Sequence, residues 1–179
     1  TLLLAFSNDL ALPIQTYFLR YDPTTSTMLP SPETWFYLPI GPTIALFMYL
    51  TAASHLLVST VGYHWYRRNI IRHRNPARWY EYSITSSIMI LVIALLCGIN
   101  DLAALIPLMG INATMNLFGD LMELHNQTTE RTDWTSFLYG TFAGVVPWMA
   151  IILYYLGAVI PSSDAIPGFV LLIVLSMMA

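Results

Sequence analysis

The chain has 179 residues, of which 56% are hydrophobic and only 9% charged, against roughly 25% charged in an average soluble domain. That composition excludes an ordinary soluble domain and leaves a membrane protein, in which the net charge of −3 says less than the distribution of the charges. Its one cysteine, Cys97, excludes an intrachain disulfide.

Residues 1–17 read as the end of a first membrane helix. This apolar run opens without methionine, basic segment or small-residue cleavage site, so it does not read as a removable signal peptide. Residues 18–39, FLRYDPTTSTMLPSPETWFYLP, read as a long extracellular loop. The WFY stretch is β-prone, so a small extramembrane ribbon and a solvated linker are both open. A bilayer span needs about 20 apolar residues, and such runs place helix 2 at 40–66, helix 3 at 76–99, helix 4 at 102–123 and helix 5 at 135–158. A sixth helix begins at 166–179. The chain therefore reads as one transmembrane helical domain, a fragment lacking the start of its first helix and everything after the beginning of its sixth.

All seven cationic residues are arginines, and five of them, Arg67, Arg68, Arg72, Arg74 and Arg78, lie between helices 2 and 3. The positive-inside rule puts that connection in the cytoplasm, and with it the N-terminus. The connection 123–134 falls on the same side. Trp35, Tyr37, Tyr63, Trp65, Trp79 and Trp134 sit near span ends, as an aromatic belt requires.

Helix 3 opens with a cap at Asn75 and a proline, Pro76, in its first turn. At about 100° per residue, Arg78, Glu81, Tyr82, Thr85, Ser86 and Met89 share an arc of about 140°. A charge at mid-helix costs about 2.5–3.5 kcal/mol in lipid, so this arc is expected to face the bundle interior. Glu81 is then either a clamp paired with Arg78 or a neighbouring helix, or the counter-charge of a buried cation. His55 lies about 12–15 Å inside helix 2 from the same side. It is either a structural hydrogen-bonding group or half of a proton-handling pair with Glu81.

Helix 4 contributes Asn112, Met115 and Asn116, with Asp120 and Glu123 toward its cytoplasmic end; asparagines between membrane helices usually serve packing. In helix 5, Pro147 bends the chain and Trp148 sets a flat ring at membrane depth. That suits a wall for a flat conjugated ligand, and equally ordinary core packing. The histidines His55, His64, His73 and His125 are scattered, which leaves a metal site without support. The sequence has no phosphate-cradling Gly-rich loop, nucleophile elbow or HExxH, so it does not read as an enzyme.

The string RWYEYSITSS, from Arg78 to Ser87, closely resembles the third-helix signature of the heliorhodopsins. Further resemblances lie along the chain: SNDLALP at 7–13, GINDLAALI at 98–106, GINATM at 110–115, FAGVVPWMAI at 142–151 and IPGFV at 166–170. The resemblance implies an all-α membrane protein, a seven-transmembrane-helix rhodopsin-like bundle truncated here to about five helices with partial ones at the ends. It implies a light-sensing photoreceptor binding all-trans retinal as a protonated Schiff base, inserted with its N-terminus in the cytoplasm, homodimeric, and signalling to an unknown partner. By that resemblance Glu81 is the Schiff-base counterion, and His55 takes part in proton movement. Tyr82, Ser83, Thr85, Ser86, Met89, Asn112, Met115, Pro147 and Trp148 border the chromophore. The chain has no lysine, so the resemblance places the retinal-bearing lysine in a seventh helix beyond Ala179.

Two other functions fit the same residues: a light-driven ion pump or proton channel of the microbial rhodopsin type, and a retinal-free transporter built around Glu81 and His55. Outward proton pumps of the rhodopsin type repeat a carboxylate about eleven residues after the counterion, three turns along the helix. Here that position is Val92, flanked by Ile90, Leu91 and Ile93, an apolar plug that favours sensing over pumping.

Overall fold

The computed structural model describes residues 10–159. Its elements are β1 (Ala11–Asp22), β2 (Thr27–Pro39), α1 (Ile40–Ser59), α2 (Tyr63–Ile71), α3 (Pro76–Leu96), α4 (Leu102–His125) and α5 (Thr135–Val159). Of these helices α1, α3, α4 and α5 are long and apolar enough to cross a membrane. Residues 1–9 and the sixth-helix start expected at 166–179 lie outside the described residues.

Strands β1 and β2 form an antiparallel ribbon in which Ala11 faces Pro39 and Asp22 faces Thr27. This corrects the first-helix end expected to run to residue 17: from Ala11 onward the chain is strand. Pro13 lacks the N–H that a helix would use, and the ladder with β2 satisfies backbone groups that a short helical tail would leave open. Of the two readings left open for 18–39, the ribbon is the one formed. Ile14 faces Phe36 and Gln15 faces Thr34, so Trp35 is the extra residue of a bulge. Its indole N–H donates to Thr16 Oγ1 at 2.8 Å.

At the ribbon's tip the Asp22 carboxylate accepts the Thr24 backbone N–H at 2.9 Å and the Thr24 and Thr25 hydroxyls at 2.6 and 3.1 Å. These bonds, the Thr24 hydroxyl foremost, hold the Asp22 carboxyl below its ordinary range. The ribbon's base is pinned to the bundle. Ile14 is buried there, Gln15 N–H donates to the Asn100 carbonyl at 2.8 Å, and Ile40 N–H donates to the Leu10 carbonyl at 2.9 Å.

Helix α1 stops at Ser59, short of the expected residue 66. The Ser59 and Thr60 hydroxyls donate to the Leu56 carbonyl at 3.0 and 2.6 Å, competing for the acceptor that continues the helix. After the break Gly62 N–H reaches back to the Leu57 carbonyl at 2.7 Å, and a separate short helix, α2, begins. Helix α3 starts as its sequence requires, with Asn75 Oδ1 accepting Arg78 N–H at 3.3 Å and Pro76 in the first turn. It ends at Leu96 rather than residue 99. Gly98 takes φ 94, a left-handed conformation that suits glycine, and lets Ile99 N–H close on the Ala94 carbonyl at 2.9 Å. Asp101 caps α4 by accepting Ala103 N–H at 3.2 Å.

Helix α3 is the centre of the packing, with α1 on one side and α4 on the other, and α5 packs mainly on α4. The apolar core gathers at the ribbon end. There Ile90, Val92, Ile93, Ala94 and Leu95 of α3 cluster with Ile40 of α1, Leu105 and Leu108 of α4, Ile151 of α5 and Ile14 of the ribbon. Burying such side chains contributes about 1.5–3 kcal/mol each for the larger ones in water. Within lipid the gain comes chiefly from close packing instead.

Candidate functional site

Glu81 is half-buried between α1 and α3. Its Oε1 accepts the Thr51 hydroxyl at 2.7 Å, and Thr85 Oγ1 lies 3.4 Å from the same oxygen and 3.0 Å from Glu81's own carbonyl. Thr51 lies about eight residues, or about 12 Å, from the end of α1, and Glu81 about five residues, or about 8 Å, from the start of α3, so the bond holds the carboxylate within the spans on their arginine-rich side. Both donors are neutral. Among the described residues no cation pairs with Glu81.

Arg78, the nearest cation in sequence, turns away. Its guanidinium lies 4.4 Å from the centre of the Trp79 ring and donates to Glu123 Oε1 at 2.8 Å, so the Arg78–Glu81 clamp is not formed. Glu123 Oε2 also accepts Asn75 N–H at 2.5 Å. One turn away, Asp120 receives two bonds from Arg74, at 2.9 Å from Nε and 2.5 Å from an Nη. The Asp120 hydrogen bond is the main cause that raises the already high pKa of Arg74. Together these pairs lock the arginine-rich start of α3 to the end of α4.

The His55–Glu81 pair is not formed either. His55 is exposed and has no hydrogen-bond partner among the described residues. It stands one turn from Thr51 on the same face of α1, about 6 Å nearer the arginine-rich end.

A second polar cluster joins α3 to α4. Ser86 Oγ accepts the amides of Asn112 at 2.7 Å and Asn116 at 2.9 Å while donating to the Tyr82 carbonyl at 2.5 Å. Ser87 Oγ bridges the Ser83 and Met109 carbonyls at 2.6 and 3.0 Å. The Ser83 hydroxyl is spent on the Tyr80 carbonyl at 2.8 Å. The arc expected to face the interior is thus only partly covered: Thr85 is buried, whereas Tyr82 and Met89 are 45% and 41% exposed.

Met115 and Trp148 meet in a third place, a groove of 420 Å³ between α4 and α5 that also takes in Gly144 and Thr141. Pro147 is buried behind it. A β-carbon at Gly144 would stand 2.2 Å from the Met115 sulfur, so the absence of a side chain there makes room for Met115. Gly119 does the same for the Trp79 ring, which a β-carbon would meet at 2.3 Å.

Sequence reasoning missed Thr51, Ser87 and the two ion pairs to α4. The available signal for Thr51 was its place four residues before His55, on one helix face. The ion pairs join residues 45 and 46 positions apart, and local spacing carries no trace of them.

A bundle of membrane-spanning helices, with a carboxylate held between two spans, a cationic rim on one side of it and an apolar seal on the other, has the build of a rhodopsin-like protein. The heliorhodopsin family model matches residues 1–179, and the chain belongs to the heliorhodopsins. No curated protein matches the chain. Membership makes it an integral membrane protein of retinal-binding, photoreceptor-like type. The residues present fit such a chromophore. An intramembrane carboxylate with neutral donors alone suits a ligand that brings a positive charge, and the groove walled by Met115 and Trp148 suits a flat apolar body.

Proposed function

We propose that the protein is a light sensor that binds all-trans retinal and signals by conformational change without pumping ions. Bound through a lysine outside these 179 residues, retinal supplies light absorption and a buried positive charge. Glu81 is its counterion, oriented by Thr51 and Thr85. Ser86 and Asn112 hold the third and fourth helices together beside it, while Tyr82, Ser83, Met89, Met115, Pro147 and Trp148 border the chromophore. His55 handles a proton on the arginine-rich side of Glu81, in a helix geometry that leaves one turn between it and Thr51.

The observation that carries this reading is the contrast along α3: a lone intramembrane carboxylate is followed by the buried run Ile90, Val92, Ile93, Ala94 and Leu95. No group in that run can accept a proton, so a proton leaving the carboxylate's neighbourhood has no second station on this helix and returns to the side it came from. By the positive-inside rule the arginine-rich connection supports a cytoplasmic α2 and N-terminus, with the ribbon outside. The receptor acts as a homodimer on a partner not yet identified.

The test is illumination of liposomes containing the full-length protein. No sustained pH change is expected. A sustained change abolished by a protonophore would establish a pump, and a current that only tracks an applied voltage would establish a channel.

A further inference from the structure

Helix α2 carries charge that the fold does not neutralise. Arg74 and Arg78 each have a carboxylate on α4, but Arg67, Arg68 and Arg72 are exposed and have no acidic partner among the described residues. The position of α2 is constrained from both ends. Only residues 60–62 separate it from the span α1, and only residues 72–75 from the span α3. A helix of this length is about 13 Å long, so it cannot leave the headgroup layer into which both spans emerge. The Arg72 carbonyl is tied down further by Gln127 Nε2 at 3.0 Å.

The helix is two-faced. At about 100° per residue, Tyr63, Tyr66 and Ile70 share an arc of about 60°, Arg68 lies about 160° from Tyr66 and Ile70, Arg67 flanks the arc, and Arg72 follows the last residue of the helix. Among the described residues no residue of α2 is fully buried, and its apolar side is at most half-covered, at Tyr66. Trp65 is 42% exposed, in the amphipathic role such rings play at headgroup depth.

We infer that α2 is an anionic-phospholipid site. Its apolar side lies toward the acyl boundary, and Arg67, Arg68 and Arg72 bind headgroup phosphates of the leaflet on the arginine-rich side. Charge complementarity selects the occupant, because a guanidinium pairs with a phosphate through two parallel hydrogen bonds and three such groups favour a bilayer surface of negative charge. The lipid site is independent of the photoreceptor reading, since neither retinal nor Glu81 enters it.

The experiment uses the full-length protein in phosphatidylcholine vesicles carrying a trace of spin-labelled lipid. Electron paramagnetic resonance then compares the protein-restricted fraction of labelled phosphatidylglycerol with that of labelled phosphatidylcholine. The wild type is expected to favour the anionic label by about threefold or more at low salt and to lose most of that preference at about 0.5 M salt. The triple variant Arg67→Gln, Arg68→Gln, Arg72→Gln is expected to bring the ratio near one, while lysine at the same three positions and Arg20→Gln on the ribbon keep it. Equal restriction of both lipids by the wild type, or a preference unmoved by salt, would overturn the site without any variant. An undiminished preference in the glutamine variant would overturn the assignment to α2, and displacement of the label by inorganic phosphate at constant ionic strength would make the ligand a free anion rather than a lipid.

Discussion

From Pro76 to Ser87 the helix α3 carries Arg78, Glu81, Ser86 and Ser87, each tied to a polar group on α1 or α4, whereas from Ile88 to Leu96 it carries only apolar side chains, more than half of them buried. The same helix therefore meets its neighbours by two kinds of contact. In the polar half specificity comes from donors matched to acceptors, which a low-dielectric medium makes costly to leave unmatched. In the apolar half close packing alone holds the helices, and nothing there can store or relay a charge. The difference places the site: ionisable groups stand where the bundle supplies partners, and the seal stands where the ribbon closes the bundle.

Introducing a carboxylate into the apolar half should break this contrast most severely. Val92→Asp puts an unpaired acid where Val92 is 5% exposed, and a loss of about 3 kcal/mol is expected from the cost of an unpaired charge buried within a membrane-spanning helix. Equilibrium unfolding in mixed micelles measures it. Unchanged stability would mean that this half is hydrated and can carry protons after all.

The next largest effect belongs to the lock between α3 and α4. Asp120→Asn leaves the Arg74 guanidinium facing a neutral amide, and a destabilisation of about 1.5–3 kcal/mol is expected, the range of hydrogen bonds to charged groups. The same unfolding assay reads it, and a neutral outcome would show that Arg74 finds phosphate or water equally well.

Asn112→Leu sharpens the comparison from inside the polar half. It removes the 2.7 Å bond to Ser86, and interhelical hydrogen bonds in membranes average about 0.6 kcal/mol. A double-mutant cycle with Ser86→Ala isolates that coupling; a coupling near zero would reduce the cluster to packing.

The smallest effect is at the ribbon's tip. The folded Asp22 carboxyl is held below its ordinary value of 3.8. Its bonds to Thr24 and Thr25 are therefore fully present above the ordinary pKa and disappear as pH falls through the lowered one. Hydrogen exchange at the Thr24 amide should lose protection only in that acid window. Protection that is indifferent to pH would mean the turn does not depend on the carboxylate.

Much of this organisation was legible in the sequence because its causes are local. Asn75 and Pro76 announce the start of α3, the run Ile90–Ile93 announces the seal, and Glu81 stands out against its apolar surroundings. The features that escaped depend on residues far apart. Ala11–Tyr17 passes for a helix end until Phe36 and its neighbours arrive as a strand partner, and the spacing of Arg78 to Glu81 suggests a pair that Glu123 forms instead. The break after Ser59 is local but subtle, because it arises from two hydroxyls contending for one carbonyl. His55 shows the limit of depth arguments: similar depth on two helices does not bring side chains into contact.

The central claim is that Glu81 balances a positive charge carried by retinal. Glu81→Gln in the full-length protein keeps the size of the side chain and an oxygen to accept the Thr51 hydroxyl, but it removes the negative charge. Titrating the visible absorption band against pH should then show the Schiff-base pKa lowered by more than about one unit, equivalent to about 1.4 kcal/mol. A band whose pKa does not move would contradict the account and assign the counterion to another group.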